Sequence, residues 1–196
     1  MQLKNNTMSN QVEWMMDQTQ STISFKVDPL IFASVEGTFK IFSANIYTSD
    51  NNFDTIKVNL LIDASSINTG DAERDDHLKS TDFFDVQNYK QILFTSTSIK
   101  VVDSEGNYDL TGILTIKNIA VNVKMRVKLK DILSDAEGNK KAEFVIACKV
   151  NRNDWWLIWN ESNYTGGLME SEFVHISCGI ILTRLPIHKL KGAAER

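Results

Sequence analysis

The chain has 196 residues and 22.2 kDa, with 42% hydrophobic and 23% charged positions, the proportions of one globular domain whose core needs no staple. Nine glycines and two prolines are too few for collagen, a linker or low-complexity disorder, and a mean hydropathy of -0.21 with no long apolar run excludes a spanning helix. A net charge of -4 and a pI near 5.4 argue against general nucleic-acid binding, and the mildly basic stretch from Arg184 to Arg196 is too sparse for an anion-binding arm.

Met1 to Val12 is polar, rich in Asn and Gln, and carries no apolar segment of the kind a secretory signal needs. Residues 1–11 therefore read as a flexible lead, residues 12–184 as one domain and residues 185–196 as a tail, with a cytoplasmic location expected. Cys148 and Cys178 lie far apart inside apolar stretches and form no CxxC or zinc spacing; they read as small buried hydrophobes in a reducing compartment. Asn160-Glu161-Ser162 and Asn163-Tyr164-Thr165 match the glycosylation pattern, which is without consequence in a chain expected to stay in the cytoplasm.

Strands are expected over Ile23 to Val27, Val35 to Tyr47, Ile56 to Ile62, Ile92 to Val101, Tyr108 to Lys117, Val121 to Lys130, Glu143 to Val150 and Phe173 to Thr183. The clearest is Val121 to Lys130. Val121, Val123, Met125, Val127 and Leu129 alternate with Asn122, Lys124, Arg126, Lys128 and Lys130, which sets an apolar face against a mostly basic one and indicates an antiparallel sheet with one side in water. Turn residues at 48–52, 104–107 and 134–139 mark hairpin loops. Gly70 to Ser80 breaks the pattern and predicts a short helix capped near Gly70 and Asp71, followed by a Phe83-Phe84 anchor that covers one end of the sheet. Regular strands without long helices give an all-β sandwich or barrel, and a barrel is favoured because closure removes exposed edges.

Catalytic signatures such as GxSxG, the P-loop, GxGxxG and HExxH are absent from the sequence. His77, His175 and His188 fall in different elements, and Glu73 with His77 reads as a solvated helix face rather than a pair of metal ligands, so neither a metal nor a cofactor is expected. The segment from Asn151 to Asn160 holds three of the four tryptophans beside Arg152. It reads either as a plug packing the barrel end or as a cover over an apolar ligand, with the guanidinium holding an anionic head.

In order, Trp14…Asp17, Phe25-Lys26-Val27, Val35-Glu36-Gly37-Thr38-Phe39, Ser66-Ile67-Asn68-Thr69-Gly70, Arg74-Asp75-Asp76-His77-Leu78, Asp82-Phe83-Phe84-Asp85, Leu114-Thr115-Ile116 and Asn151-Arg152-Asn153-Asp154-Trp155 together resemble the YceI-like family over roughly Glu13 to Thr183. The resemblance implies an extended, lipocalin-like antiparallel β-barrel holding a long-chain lipid such as a polyisoprenoid. The chain departs from the family pattern at Asp17-Gln18-Thr19-Gln20-Ser21, at Pro29, at Tyr89-Lys90 and at Asn118-Ile119-Ala120-Val121.

These readings combine into a non-enzymatic container that binds, stores or transports an amphipathic isoprenoid, quinone-like or fatty ligand, with no nucleic-acid partner and no stable membrane insertion, and with a homodimer left open. The alternatives are an enzyme acting on a hydrophobic substrate, with His77 and Asp75 or Asp76 as acid and base, and a solid barrel serving as a structural or interaction module. The expected apolar lining is Phe25, Val27, Phe39, Ile41, Leu60, Ile62, Phe83, Phe84, Phe94, Leu114, Ile116, Val123, Met125, Val127, Trp155 and Trp156. Arg152, Arg74 and His77 are the head-group candidates.

Overall fold

The computed structural model describes residues 11–29, 34–50, 52–134, 136, 139–158 and 170–184. Residues 1–10 of the expected lead, the tail at 185–196, Trp159, both glycosylation matches, His188 and parts of the loops at 48–52 and 134–139 lie outside the described residues.

Alternating apolar and polar positions form the strands β1 Gln11–Met16, β2 Thr22–Pro29, β3 Val35–Phe39, β4 Phe42–Ser49, β5 Asn52–Asp63, β6 Ile67–Asn68, β7 Gln91–Val101, β8 Asn107–Ile116, β9 Ile119–Ser134, β10 Lys140–Asn151 and β11 Glu170–Arg184. One helix, α1 Ala72–Lys79, and two 3-10 turns, Ala64–Ser66 and Arg152–Trp155, complete the described elements. Every strand pairing is antiparallel.

Three strand pairs are consecutive halves of one bent ribbon. β1 and β2 both run antiparallel to β11, β3 and β4 pair with β2 and β1, and β5 and β6 pair with β4 and β3. In ribbons, the sheet is an eight-membered meander closed into a barrel. β11 makes the closure: one edge pairs with β10 from Lys140↔Arg184 to Asn151↔Phe173, and the other pairs with β2 around Val174↔Val27 and with β1 at Thr183↔Met15.

The three bends lie side by side, at Asp17–Ser21, Lys40–Ile41 and Ala64–Ser66. The Ile41 amide donates to Ser66 Oγ at 3.1 Å, the Lys40 amide to the Ser66 carbonyl at 3.1 Å and the Asp63 amide to the Ile41 carbonyl at 2.9 Å. In the first bend, Asp17 Oδ1 accepts from the Thr19 amide at 3.0 Å and the Thr19 hydroxyl at 2.7 Å, and the buried Ser21 Oγ accepts from the Ile181 amide at 3.0 Å. Each bend changes which side chains face inward, because a slip of one residue inverts a strand's faces. Val35 and Phe39 point in before the second bend, and Phe42 and Ile46 point in after it. The single strand expected over Val35 to Tyr47 is therefore two, and Ile41, expected to face inward, is 60% exposed. β1 was not among the expected strands, yet it buries Val12 and Trp14.

The expected helix forms from Ala72 and is capped by Asp71, whose Oδ1 accepts from the Arg74 amide at 3.1 Å. It is short because Ser80 leaves the helical region and the chain turns back, the Phe84 amide donating to the Leu78 carbonyl at 3.0 Å. Phe83 and Phe84 are buried beneath it. With the turn Arg152–Trp155 they mark one end of the barrel. At the opposite end, Trp14, Phe53 and Phe144 stack with centroid separations of 4.9 and 5.0 Å, and Trp14 Nε1 donates to the buried Thr48 hydroxyl at 3.0 Å.

Two inward glycines make room for rings. Phe25 lies over Gly37, its partner across β2–β3, and Phe94 lies over Gly112 in β8. A Cβ at Gly112 would collide with the Phe94 ring and with the Thr95 carbonyl oxygen, which the ladder holds in place. Gly112→Ala should destabilise the barrel by about 1–3 kcal/mol through overpacking. A lower midpoint of urea unfolding checks this, and an unchanged midpoint would show that the ring and backbone can yield.

Candidate functional site

Closing eight ribbons brings their inward faces together around an enclosed space, and an eight-stranded barrel is just wide enough either to fill itself or to hold one ligand. This barrel is not solid. Its interior contains a cavity of about 210 Å³, well above the ~10–15 Å³ that a single water needs. The wall is almost entirely hydrocarbon, drawn from every ribbon and from α1. Such a space offers a water few partners, and it favours methylene and methyl groups.

Of the expected lining residues, Phe25, Val27, Phe39, Leu60, Ile62, Phe83, Phe84, Phe94, Leu114, Ile116, Met125, Val127 and Trp155 stand on the cavity wall. Val123 is buried in the core but does not reach the cavity. Two residues expected on the wall face water. Ile41 sits in a bend, and Trp156, 69% exposed, adopts φ +57° immediately after the turn Arg152–Trp155, which rotates its side chain outward. Trp155 is the inward indole, 1% exposed, and its Nε1 donates to the Leu114 carbonyl at 3.2 Å.

Several wall residues were not anticipated, among them Met16, Ile46, Phe53, Phe144 and Cys178. Met16 and Ile46 belong to strands whose phase is set by the bends, and Phe53 follows a turn, so a single unbroken alternation does not select them. For Phe144 and Cys178 the signal was present, since both lie in strands expected from their apolar content.

Toward the helix end the wall carries two charged side chains among the described residues, Arg74 and Arg152. Each is held by carbonyl or hydroxyl oxygens. Arg74 Nε donates to Thr69 Oγ1 at 2.9 Å and its Nη2 to the Thr69 carbonyl at 3.2 Å, with Asp71 Oδ2 3.9 Å from Nη1. The buried Asp75 accepts from the amide and hydroxyl of Thr69 at 2.9 and 2.6 Å, so the loop before α1, the helix and the arginine form one network. Arg152 Nε donates to the Ser171 carbonyl at 3.2 Å and Nη1 to the Leu157 carbonyl at 2.6 Å, tying the turn to the start of β11. His77, on α1, is not part of the wall. At the opposite end Tyr108 also borders the cavity; burial and then the neighbouring Asp54 push its phenol above the usual range, so the hydroxyl stays protonated.

The sequence profile of the YceI-like domain matches residues 14–180. Protein YceI of Salmonella newport is 35% identical over 133 residues, 68% of this chain and 69% of the relative. Among solved structures, Burkholderia cenocepacia BcnA superposes with a TM-score of 0.71 at 24% identity, covering 85% of this chain and 98% of that one. A Campylobacter jejuni YceI protein gives 0.70 at 24% identity over 81% and 90%. A polyisoprenoid-binding domain from Saccharophagus degradans, implicated in plant cell wall breakdown, gives 0.61 at 14% identity over 89% and 99%. These structures share the barrel.

The two cysteines are free, and burial raises both thiols, Cys178 to about 12 with a further contribution from Cys148. At pH 8 both should stay protonated and unreactive toward a polar thiol reagent in the folded protein and react once it is unfolded. The unfolded thiols ionise near ~8.5, below their folded values, so their contribution to stability is complete below that pH. It is then lost as pH rises toward the folded values. Unfolding midpoints from pH 8 to 11 should fall less steeply in Cys178→Ala than in the parent; identical slopes would show that the thiol is not held in its protonated form.

Proposed function

Since the chain belongs to the YceI-like family, we propose that it binds an amphipathic long-chain lipid, isoprenoid or fatty in character, inside the barrel and stores or carries it without chemical change. The observation that carries this reading is the apolar cavity of about 210 Å³ running between the Trp14–Phe53–Phe144 cluster and the helix end. A hydrocarbon chain brings no polar atoms that must be satisfied, and each methylene removed from water contributes about 0.8 kcal/mol. Affinity then depends on how much chain fits. Orientation depends on the few polar groups at one end.

Those groups are Arg74 and Arg152, so the polar end of the ligand sits at the helix end and the chain points toward Phe53 and Phe144. The side chains Phe25, Phe39 and Phe84 form a continuous aromatic strip along the wall, with successive centroids 5.8 and 6.1 Å apart. Such a strip suits the flat, branched units of an isoprenoid, and the polyisoprenoid-binding description of the Saccharophagus degradans neighbour supports that choice.

Native mass spectrometry of freshly purified protein, followed by organic extraction, should reveal a co-purifying lipid, and delipidated protein should take up an apolar fluorescent probe. Met125→Arg places a charge on the wall and should abolish uptake. Leu60→Trp fills the space without a charge, and should reduce uptake at least severalfold while the protein remains folded. Persistently empty protein that takes up no probe, or uptake unaltered by both substitutions, would overturn the reading.

A further inference from the structure

The segment that closes the helix end of the barrel has two faces. Trp155 and Leu157 are buried on the cavity wall, while Trp156 and Ile158 between and after them are 69% and 45% exposed. This division depends on the left-handed backbone of Trp156, φ +57° and ψ +30°, a conformation that bulky side chains rarely adopt and that costs free energy. A costly backbone that places an indole in water indicates a use for the indole there. Phe173 is also exposed, at 43%, near the start of β11, and Arg152 joins this stretch to the turn through its bond to the Ser171 carbonyl.

From this rim a column of cations runs along the outside of the barrel. The outer face of β9 carries Lys124, Arg126, Lys128 and Lys130, and the adjacent β10 contributes Lys149, whose Nζ lies 4.2 Å from the Phe173 ring centroid. Lys117 stands in the β8–β9 turn at the rim itself. Asp109, opposite Arg126, pairs with Lys124 at 2.9 Å, Glu143 stands opposite Asp131 farther along the β9–β10 ladder, and Asp154, Glu161, Glu170 and Glu172 are acidic residues close to Trp156 and Phe173 in sequence. The column is net cationic on a chain whose overall charge is -4.

We propose that this end and the β9–β10 face dock on an anionic lipid bilayer. Trp156, Ile158 and Phe173 enter the interfacial layer while Arg126 and Lys149 meet lipid phosphates. Indole is the side chain best suited to that layer, with an apolar body and a polar N–H. The inference rests on the reading of the cavity as a lipid site. A ligand that water does not dissolve must be collected from and returned to an apolar phase, and the residues at the rim alternate with residues that touch the cargo. Docking there lets the chain pass between bilayer and cavity with little exposure to water.

Sedimentation with phosphatidylcholine vesicles, with and without phosphatidylglycerol, tests the proposal. The protein should sediment with the anionic vesicles at low salt. Trp156→Asn, which keeps a residue tolerant of the left-handed region, should weaken this by roughly tenfold. The pair Arg126→Gln and Lys149→Gln should weaken it by about fivefold per cation, and added salt should mimic that loss. Both variants should still take up the fluorescent probe delivered from ethanol, which separates docking from carriage. Failure of the parent to sediment, or sedimentation of Trp156→Asn equal to the parent, would overturn docking. Loss of probe uptake in the parent would instead overturn the carrier reading.

Discussion

The structure depends on the two edges of β11. One edge takes β10 along twelve consecutive pairs, and the other is divided between β2 and β1. Without that division the meander would be an open sheet with two exposed edges, one face in water and no interior. With it, all the inward side chains must share one space. The bend at Asp17–Ser21 is the local device that lets a single ribbon meet both halves of β11, and the aligned bends at Lys40–Ile41 and Ala64–Ser66 carry the same distortion across the next two ribbons.

The interior is consequently built from two kinds of strand. The ribbons β7 to β11 are continuous and long, β9 reaching 16 residues, or roughly 50 Å along the strand. The first three ribbons are broken, and the helix and its phenylalanines pack where they break. Packing at the two ends is dense: Trp14 and Trp155 are each 1% exposed, and each indole N–H finds an oxygen. Between these ends large side chains are spaced by Gly37 and Gly112, over which Phe25 and Phe94 lie. The cavity is what remains between the packed ends. Its apolar wall follows from the same alternation that makes the strands.

Polar groups at the helix end serve the frame before any ligand. Asp75 is buried and spends its carboxylate on Thr69, whose hydroxyl and carbonyl in turn receive Arg74; Arg152 reaches the carbonyls of Leu157 and Ser171. A guanidinium held in this way presents a fixed positive field to the cavity without moving. The Ser66–Gly70 and Arg74–Leu78 segments thus meet as one hydrogen-bonded unit, which gives their closeness in the sequence a physical reason. Trp156 is different in kind, since nothing in the packing of the core requires an indole in the left-handed region.

Much of the wall was legible from alternation because inward residues of a continuous antiparallel strand have no choice of face: Leu114, Ile116, Met125 and Val127 lie where their period places them. The helix was legible from its cap, and the hairpins from their turn residues. Ile41 and Trp156 were not, because a bend or a positive φ inverts the faces without any change in local hydrophobicity. The emptiness of the interior was not legible either, since an apolar face looks the same whether it meets other side chains or a ligand. The sequence by itself determined an all-β chain of antiparallel strands with a capped helix and an apolar inner face, because those follow from neighbours a few residues apart. Only the tertiary structure decided the eight-ribbon closure through β11, the phase of the first three ribbons and the volume left inside, because these depend on contacts between residues as distant as Met15 and Thr183.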